Sequence, residues 1–193
     1  DHRTPAALRD SRALEHHVEA IADLGAALTN QGDLNASVQC WQQLIDIQPN
    51  SAAAHYNLGI TLRLQEHLAE AITSLQQAVN LQPDLAAAHF SLGDLLVQLG
   101  NLETAIAHLK MAIKIQPNYA QAYSSLGLAL SKQQQLEEAV AMFDRAIEIA
   151  PELAEAHCNL ADVLIQQEKI DAAIDACQRA ITLKPNLAEA HAN

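Results

Sequence analysis

The stretch "AAAHFSLGDLLVQLGNLETAIAHLKMAIKIQPNY", residues 86–119, decides the fold. Its apolar residues Leu92, Leu95, Leu96 and Leu99 recur at helical spacing, Gly100 and Asn101 interrupt the pattern, and Leu102, Ala105, Ile106, Leu109, Ala112 and Ile113 resume it. The reading is one helix, a turn, and a second helix. Pro117 stops the second helix because its ring disfavours the helical conformation at Gln116, which places Asn118 to cap the helix that follows. Asn50, Asp84 and Asn186 are placed to cap in the same way, and Glu152 is a poorer choice. Glu70, Glu103, Glu137, Glu138 and Asp171 fall in the first turn of each second helix, where negative charge complements the helix dipole.

Outward from this stretch the pattern repeats. Pro49, Pro83, Pro117, Pro151 and Pro185 are each 34 residues apart, and the same step carries Leu24, Leu58, Leu92, Leu126 and Leu160. It also carries Gly25, Gly59, Gly93 and Gly127 with Ala161 fifth, Ala71, Ala105, Ala139 and Ala173 with Ser37 first, and Ala78, Ala112, Ala146 and Ala180 with Leu44 first. Five units follow, at 18–51, 52–85, 86–119, 120–153 and 154–187, and residues 188–193 read as the start of a truncated sixth. Residues 1–17 lack the repeat. They read as a helical lead-in continuous with the first unit or a remnant of an earlier one, with Thr4 and Pro5 at its start, or as a mobile tail before about residue 10. Small residues in the Gly25 series let paired helices approach closely. Gly32 and Gly100 ease the turn between paired helices, whereas Glu66, Gln134 and Glu168 at the same place make it less favourable.

Half the residues are apolar and 3% are aromatic, so the expected core is Ala, Leu and Ile packed between helices, an all-α architecture. A formal charge of −12 repels a phosphate backbone, and no uninterrupted apolar run approaches membrane-spanning length, so neither nucleic acid nor membrane is an expected partner. Cys40, Cys158 and Cys177 show no C-x-x-C spacing, which fits a reducing, cytoplasmic location. The chain begins at Asp1 rather than Met, which reads as a processed or excised segment.

Each unit resembles a tetratricopeptide repeat. The residues carrying the likeness are His55, Leu58, Gly59, Leu62, Ala71, Leu75, Ala78 and Pro83 in the second unit, and Tyr123, Leu126, Gly127, Leu130, Ala139, Phe143, Ala146 and Pro151 in the fourth. Departures are Ser37, Trp41 and Leu44 in the first unit and Ala161 and Cys177 in the fifth. The resemblance implies a right-handed superhelical solenoid whose first helices line a groove that recruits a segment of another protein.

The groove-facing places expected on those first helices hold Tyr56, Asn57, Ile60, Arg63 and Leu64, then Phe90, Ser91, Asp94, Val97 and Gln98, then Ser124, Ser125, Leu128 and Lys132, then Cys158, Asn159, Asp162, Ile165 and Gln166. Asn57, Asn159 and Asn193 occupy equivalent places with Ser91 and Ser125 between, and an amide can both donate to and accept from a peptide backbone. Chaperone-binding members of the family clamp a terminal carboxylate with several cations, whereas here Arg63 and Lys132 are the only groove cations, two units apart. The asparagine places instead resemble the array of O-linked N-acetylglucosamine transferases.

His55, His89, His157 and His191 recur with the repeat, yet stacked helices are about 8–10 Å apart while zinc ligands need about 2.0–2.1 Å, so they read as packing residues. His16 and His17 are adjacent and point to different sides of a helix, and Cys158 and Cys177, on the two helices of one unit, read as packed thiols. No phosphate loop, nucleophile elbow or metalloprotease motif is present, so no cofactor, metal or catalysis is expected of this segment. The favoured expectation is a scaffold binding a partner's peptide or helix. The alternatives are a substrate-recruiting region of a larger enzyme such as a glycosyltransferase, and self-assembly through an uncapped C-terminal end, because residues 188–193 give too little chain to cover the last pair.

Overall fold

The computed structural model describes residues 5–184, with side chains described from residue 14. Ten helices and no strand occur among the described residues. They are α1 (Pro5–Gln31), α2 (Leu34–Ile47), α3 (Ala52–Leu64), α4 (Leu68–Leu81), α5 (Ala86–Gln98), α6 (Leu102–Ile115), α7 (Ala120–Lys132), α8 (Leu136–Ile149), α9 (Ala154–Gln166) and α10 (Ile170–Leu183). The lead-in and the first repeat helix are one element, since α1 runs unbroken from Pro5. None of the described helices is long and apolar enough to cross a membrane.

The helices gather into two compact units, Asp1–Ala88 and His89–Asn193. In the first, α1 packs on α2, α2 on α3 and α3 on α4, and α1 also touches α3. In the second, α6 packs on α7, α7 on α8, α8 on α9 and α9 on α10, and α7 also reaches α9. Each pair is built around a small residue opposite a bulky one. A Cβ added to Gly59 would stand 2.7 Å from Leu75 Cγ, one on Gly93 2.7 Å from Leu109 Cγ, and one on Gly127 2.8 Å from Phe143. Leu75, Leu109 and Phe143 are fully buried, which stabilises each pair by about 1.5–3 kcal/mol per side chain. In the last pair Ala161 stands at the glycine place and Cys177 at the bulky one, so the extra methyl is matched by a smaller opposing side chain. In the first pair Trp41 lies over Gly25, with Trp41 Cε2 only 2.9 Å from where a Cβ would be.

The turns inside the pairs share one hydrogen-bond pattern. His67 N–H donates to Leu62 O at 2.9 Å and Glu66 N–H to Arg63 O at 3.0 Å, a six-to-one and five-to-two pair that ends the helix and needs a left-handed residue. Asn101 and Gly100 donate likewise to Leu96 and Val97, Gln135 and Gln134 to Leu130 and Ser131, and Lys169 and Glu168 to Leu164 and Ile165. The left-handed residues are Gly32 (φ 83°), Glu66 (63°), Gly100 (78°), Gln134 (64°) and Glu168 (61°).

The capping expectation needs correction. Ser51, not Asn50, caps α3, its hydroxyl accepting from Ala54 N–H at 3.3 Å. Tyr119, not Asn118, precedes α7 and gives no side-chain cap, and α5 starts at Ala86, two residues beyond Asp84. The chain needs one more residue after the proline to turn into the next helix, which moves the polar residue out of capping reach. Asn186 lies outside the described residues. The acidic residues do sit in the first turns of α4, α6, α8 and α10.

Candidate functional site

In the second unit, α5, α7 and the start of α9 enclose a cleft lined by Phe90, Asp94, Gln98, Gln121, Ser124, Ser125, Leu153 and Glu155. Phe90, Asp94 and Gln98 succeed one another at four-residue steps, so they form a single line along α5. Two neutral donors hold the Asp94 carboxylate. Ser125 Oγ donates to Oδ1 at 2.9 Å and Gln98 Nε2 to Oδ2 at 3.0 Å. Phe90 is braced by Tyr119, the ring centroids 4.9 Å apart at 44°. Glu155 stands in the first turn of α9, where the helix dipole favours its charge. The lining contains two carboxylates and neither lysine nor arginine.

Five of the residues expected in a groove, Phe90, Asp94, Gln98, Ser124 and Ser125, thus share one cleft. Two others do not belong on a surface. Val97 is 1% exposed and Ser91 4% exposed. On the helical wheel Val97 falls between Phe90 and Gly93, the side turned toward α6, and Ser91 falls beside buried Leu95 on the opposite flank. Leu128, Lys132, Asn159 and Asp162 lie outside the cleft, with Lys132 and Asp162 exposed and Leu128 and Asn159 half-buried. In the first unit Tyr56, Asn57, Ile60 and Arg63 are half-buried along α3. Asn193 lies outside the described residues. Gln121, Leu153 and Glu155 were missed from sequence, although stepping back four residues from Ser125 and Asn159 leads to Gln121 and Glu155.

The periodic histidines have local partners. His55 Nε2 and His157 Nε2 each donate to the carbonyl oxygen of the proline six residues earlier, Pro49 and Pro151, at 3.0 Å. His89 differs, its Nδ1 lying 3.0 Å from His108 Nδ1. His191 lies outside the described residues. Among the described residues no group of three or more His, Cys, Asp or Glu side chains is placed to hold a metal ion. The three cysteines are free and half-buried, and burial pushes the Cys158 thiol up, aided by the charges of Asp162, Cys177 and Glu155. A raised pKa keeps it protonated and weakly nucleophilic.

Helix pairs repeated at a fixed step, each closed by the same left-handed turn and a small residue against a large one, define a helix-pair repeat protein. The chain belongs to the tetratricopeptide repeat family: a TPR repeat model matches residues 25–65, 61–100 and 93–134, and a tetratricopeptide repeat model matches residues 124–188. No curated protein matches the chain by sequence. Solved structures share its fold. MamA from Desulfovibrio magneticus RS-1 superposes with a TM-score of 0.78 at 20% identity, covering 88% of this chain and 96% of that one. YrrB, described as a TPR protein with an unusual peptide-binding site, gives 0.72 at 22% identity, covering 91% and 92%. A thermophilic TPR protein of Thermus thermophilus gives 0.70 at 21% identity, covering 87% and 92%.

Proposed function

We propose that the chain is a protein-interaction scaffold that holds an extended peptide segment of a partner. The observation carrying this reading is the cleft of α5, α7 and α9, which combines a braced aromatic wall at Phe90 with the exposed polar side chains of Gln98, Gln121 and Glu155. An aromatic wall gives contact area at small entropic cost, and the polar groups can satisfy a peptide backbone. The peptide-binding site for which YrrB is described supports the reading by analogy of fold. A row of Asn57, Ser91, Ser125 and Asn159 explains less, because Ser91 is buried and the Ser125 hydroxyl is committed to Asp94. The test is selection from a displayed random-peptide library, followed by binding measurements on Phe90→Ala, where a loss of about tenfold or more is expected. Selected peptides that bind Phe90→Ala as well as the parent would remove the cleft from consideration.

One observation favours self-association as a second reading. Ile165, Ile170, Ile174 and Ile181 in α9 and α10 are 52%, 53%, 49% and 48% exposed. Sedimentation that stays monomeric with rising concentration would dispose of it.

A further inference from the structure

We infer that a second copy of this chain docks head to tail on the first, an exposed apolar stripe of α1 in one copy covering the exposed isoleucines of α10 in the other. This rests on the self-association reading above and names the two faces that meet.

The head face is a stripe on α1. Ala20, Leu24 and Ala27 follow one another at helical spacing and are all exposed, Leu24 by 53%. Their counterparts one or more repeats later, Ala54, Leu58 and Thr61 in α3, Ala122, Leu126 and Ala129 in α7, and Ala156, Leu160 and Val163 in α9, are at most 8% exposed. Packing inside the pair does not account for the difference, because α1 lies on α2 as α3 lies on α4, α7 on α8 and α9 on α10. What α3, α7 and α9 have in addition is the second helix of the preceding pair, respectively α2, α6 and α8. The tail face is the complement. Ile170, Ile174 and Ile181 of α10, each about half exposed, stand at the places that hold Leu136, Val140 and Ile147 in α8, the helix that packs on α9. The side chains that α1 presents are thus of the kind that α9 presents to α8, and those of α10 are of the kind that α8 presents to α9. A repeat covers its apolar face by stacking on a neighbour, and a second copy supplies that neighbour to both faces at once. The two faces are different, so the contact is heterologous: a copy whose tail is occupied still has a head to offer. The formal charge of −12 makes copies repel at long range, which leaves the attraction to the apolar faces.

The experiment is sedimentation of the whole chain over a range of concentrations, at low and at high salt. The mass is expected to rise with concentration and to rise further with salt, because salt screens the repulsion between copies. This measurement does not depend on any variant folding. Leu24→Glu and Ile174→Glu, both at exposed positions, are each expected to weaken association about tenfold or more, with helicity unchanged by circular dichroism. Mixed in equal amounts, the two variants are expected to form a one-to-one complex and nothing larger, since the first keeps its tail and the second its head. Association of Leu24→Glu alone as strong as that of the parent, a mixture that stays monomeric, or a parent that dissociates as salt is raised would overturn head-to-tail docking and leave self-association standing. A parent that is monomeric at every concentration and salt would overturn both.

Discussion

At the residue scale, the left-handed turns carry the clearest consequence. Glu66, Gln134 and Glu168 hold φ between 61° and 64°, a conformation that costs a side-chain-bearing residue about 1–2 kcal/mol. Glycine has no Cβ penalty there but loses about 0.5–1 kcal/mol more chain entropy on folding. The first effect is larger. Each of Glu66→Gly, Gln134→Gly and Glu168→Gly should therefore raise stability by about 0.5–1 kcal/mol, read as a higher urea midpoint; unchanged or lower midpoints would show that the turn is not strained. Gly93 has the opposite prospect. Alanine gains about 1 kcal/mol in helix propensity, but its methyl would meet Leu109 Cγ at 2.7 Å and Ala105 O at 3.2 Å with Leu109 fully enclosed. Gly93→Ala should lose about 1–2 kcal/mol. Leu109→Cys should cost less in the Gly93→Ala background than in the parent, because the last pair already combines Ala161 with Cys177. These features were legible in the sequence. A fixed step exposes both the glycines and the places where glycine is missing, and backbone geometry at a turn depends on a few neighbouring residues.

At the scale of the element, the helix pairs were legible and their starts were not. Apolar spacing and proline located α5 and α6 because both reflect the core they face. The start of each first helix depends on how the chain turns after the proline, and that turn uses one residue more than a capping rule assumes, so Ser51 caps where Asn50 was expected. A contact between elements sets the pH response of the α5 and α6 pair. His89 and His108 share one proton across 3.0 Å, since one ring nitrogen must donate and the other accept. Burial lowers the His108 pKa below its ordinary 6.5, and the charge of His89 lowers it further. A group with a lowered folded pKa binds its proton more readily in the unfolded chain. Its contribution is therefore fully present above pH 6.5 and is lost as the pH falls from 6.5 through the lowered value. The denaturant midpoint should drop over that window, and His108→Gln should flatten the drop. A variant with the same slope as the parent would place the titration elsewhere.

At the scale of the whole molecule, the second unit illustrates what a repeat can and cannot do alone. Leu136, Val140 and Ile147 in α8 are only partly exposed, whereas their counterparts one repeat later, Ile170, Ile174 and Ile181 in α10, are about half exposed. The side chains are alike, so the difference is in what covers them. α7 packs on α6, α8 and α9, while α10 packs on α9 among the described residues. The cleft depends on the same arrangement, since it draws side chains from three helices that are far apart in sequence. That explains why Phe90, Asp94 and Ser125 could be read as a surface while the contribution of Glu155 could not. The stability of an array is approximately a sum of unit and neighbour terms, so a pair covered on fewer sides opens more often. Amide hydrogen exchange should consequently be fastest in α10, slower in α9 and α8, and slowest in α7, with a difference of about tenfold or more between α10 and α7. Equal protection from α7 through α10 would mean that the unit opens all at once, and the nearest-neighbour account of its stability would have to be given up.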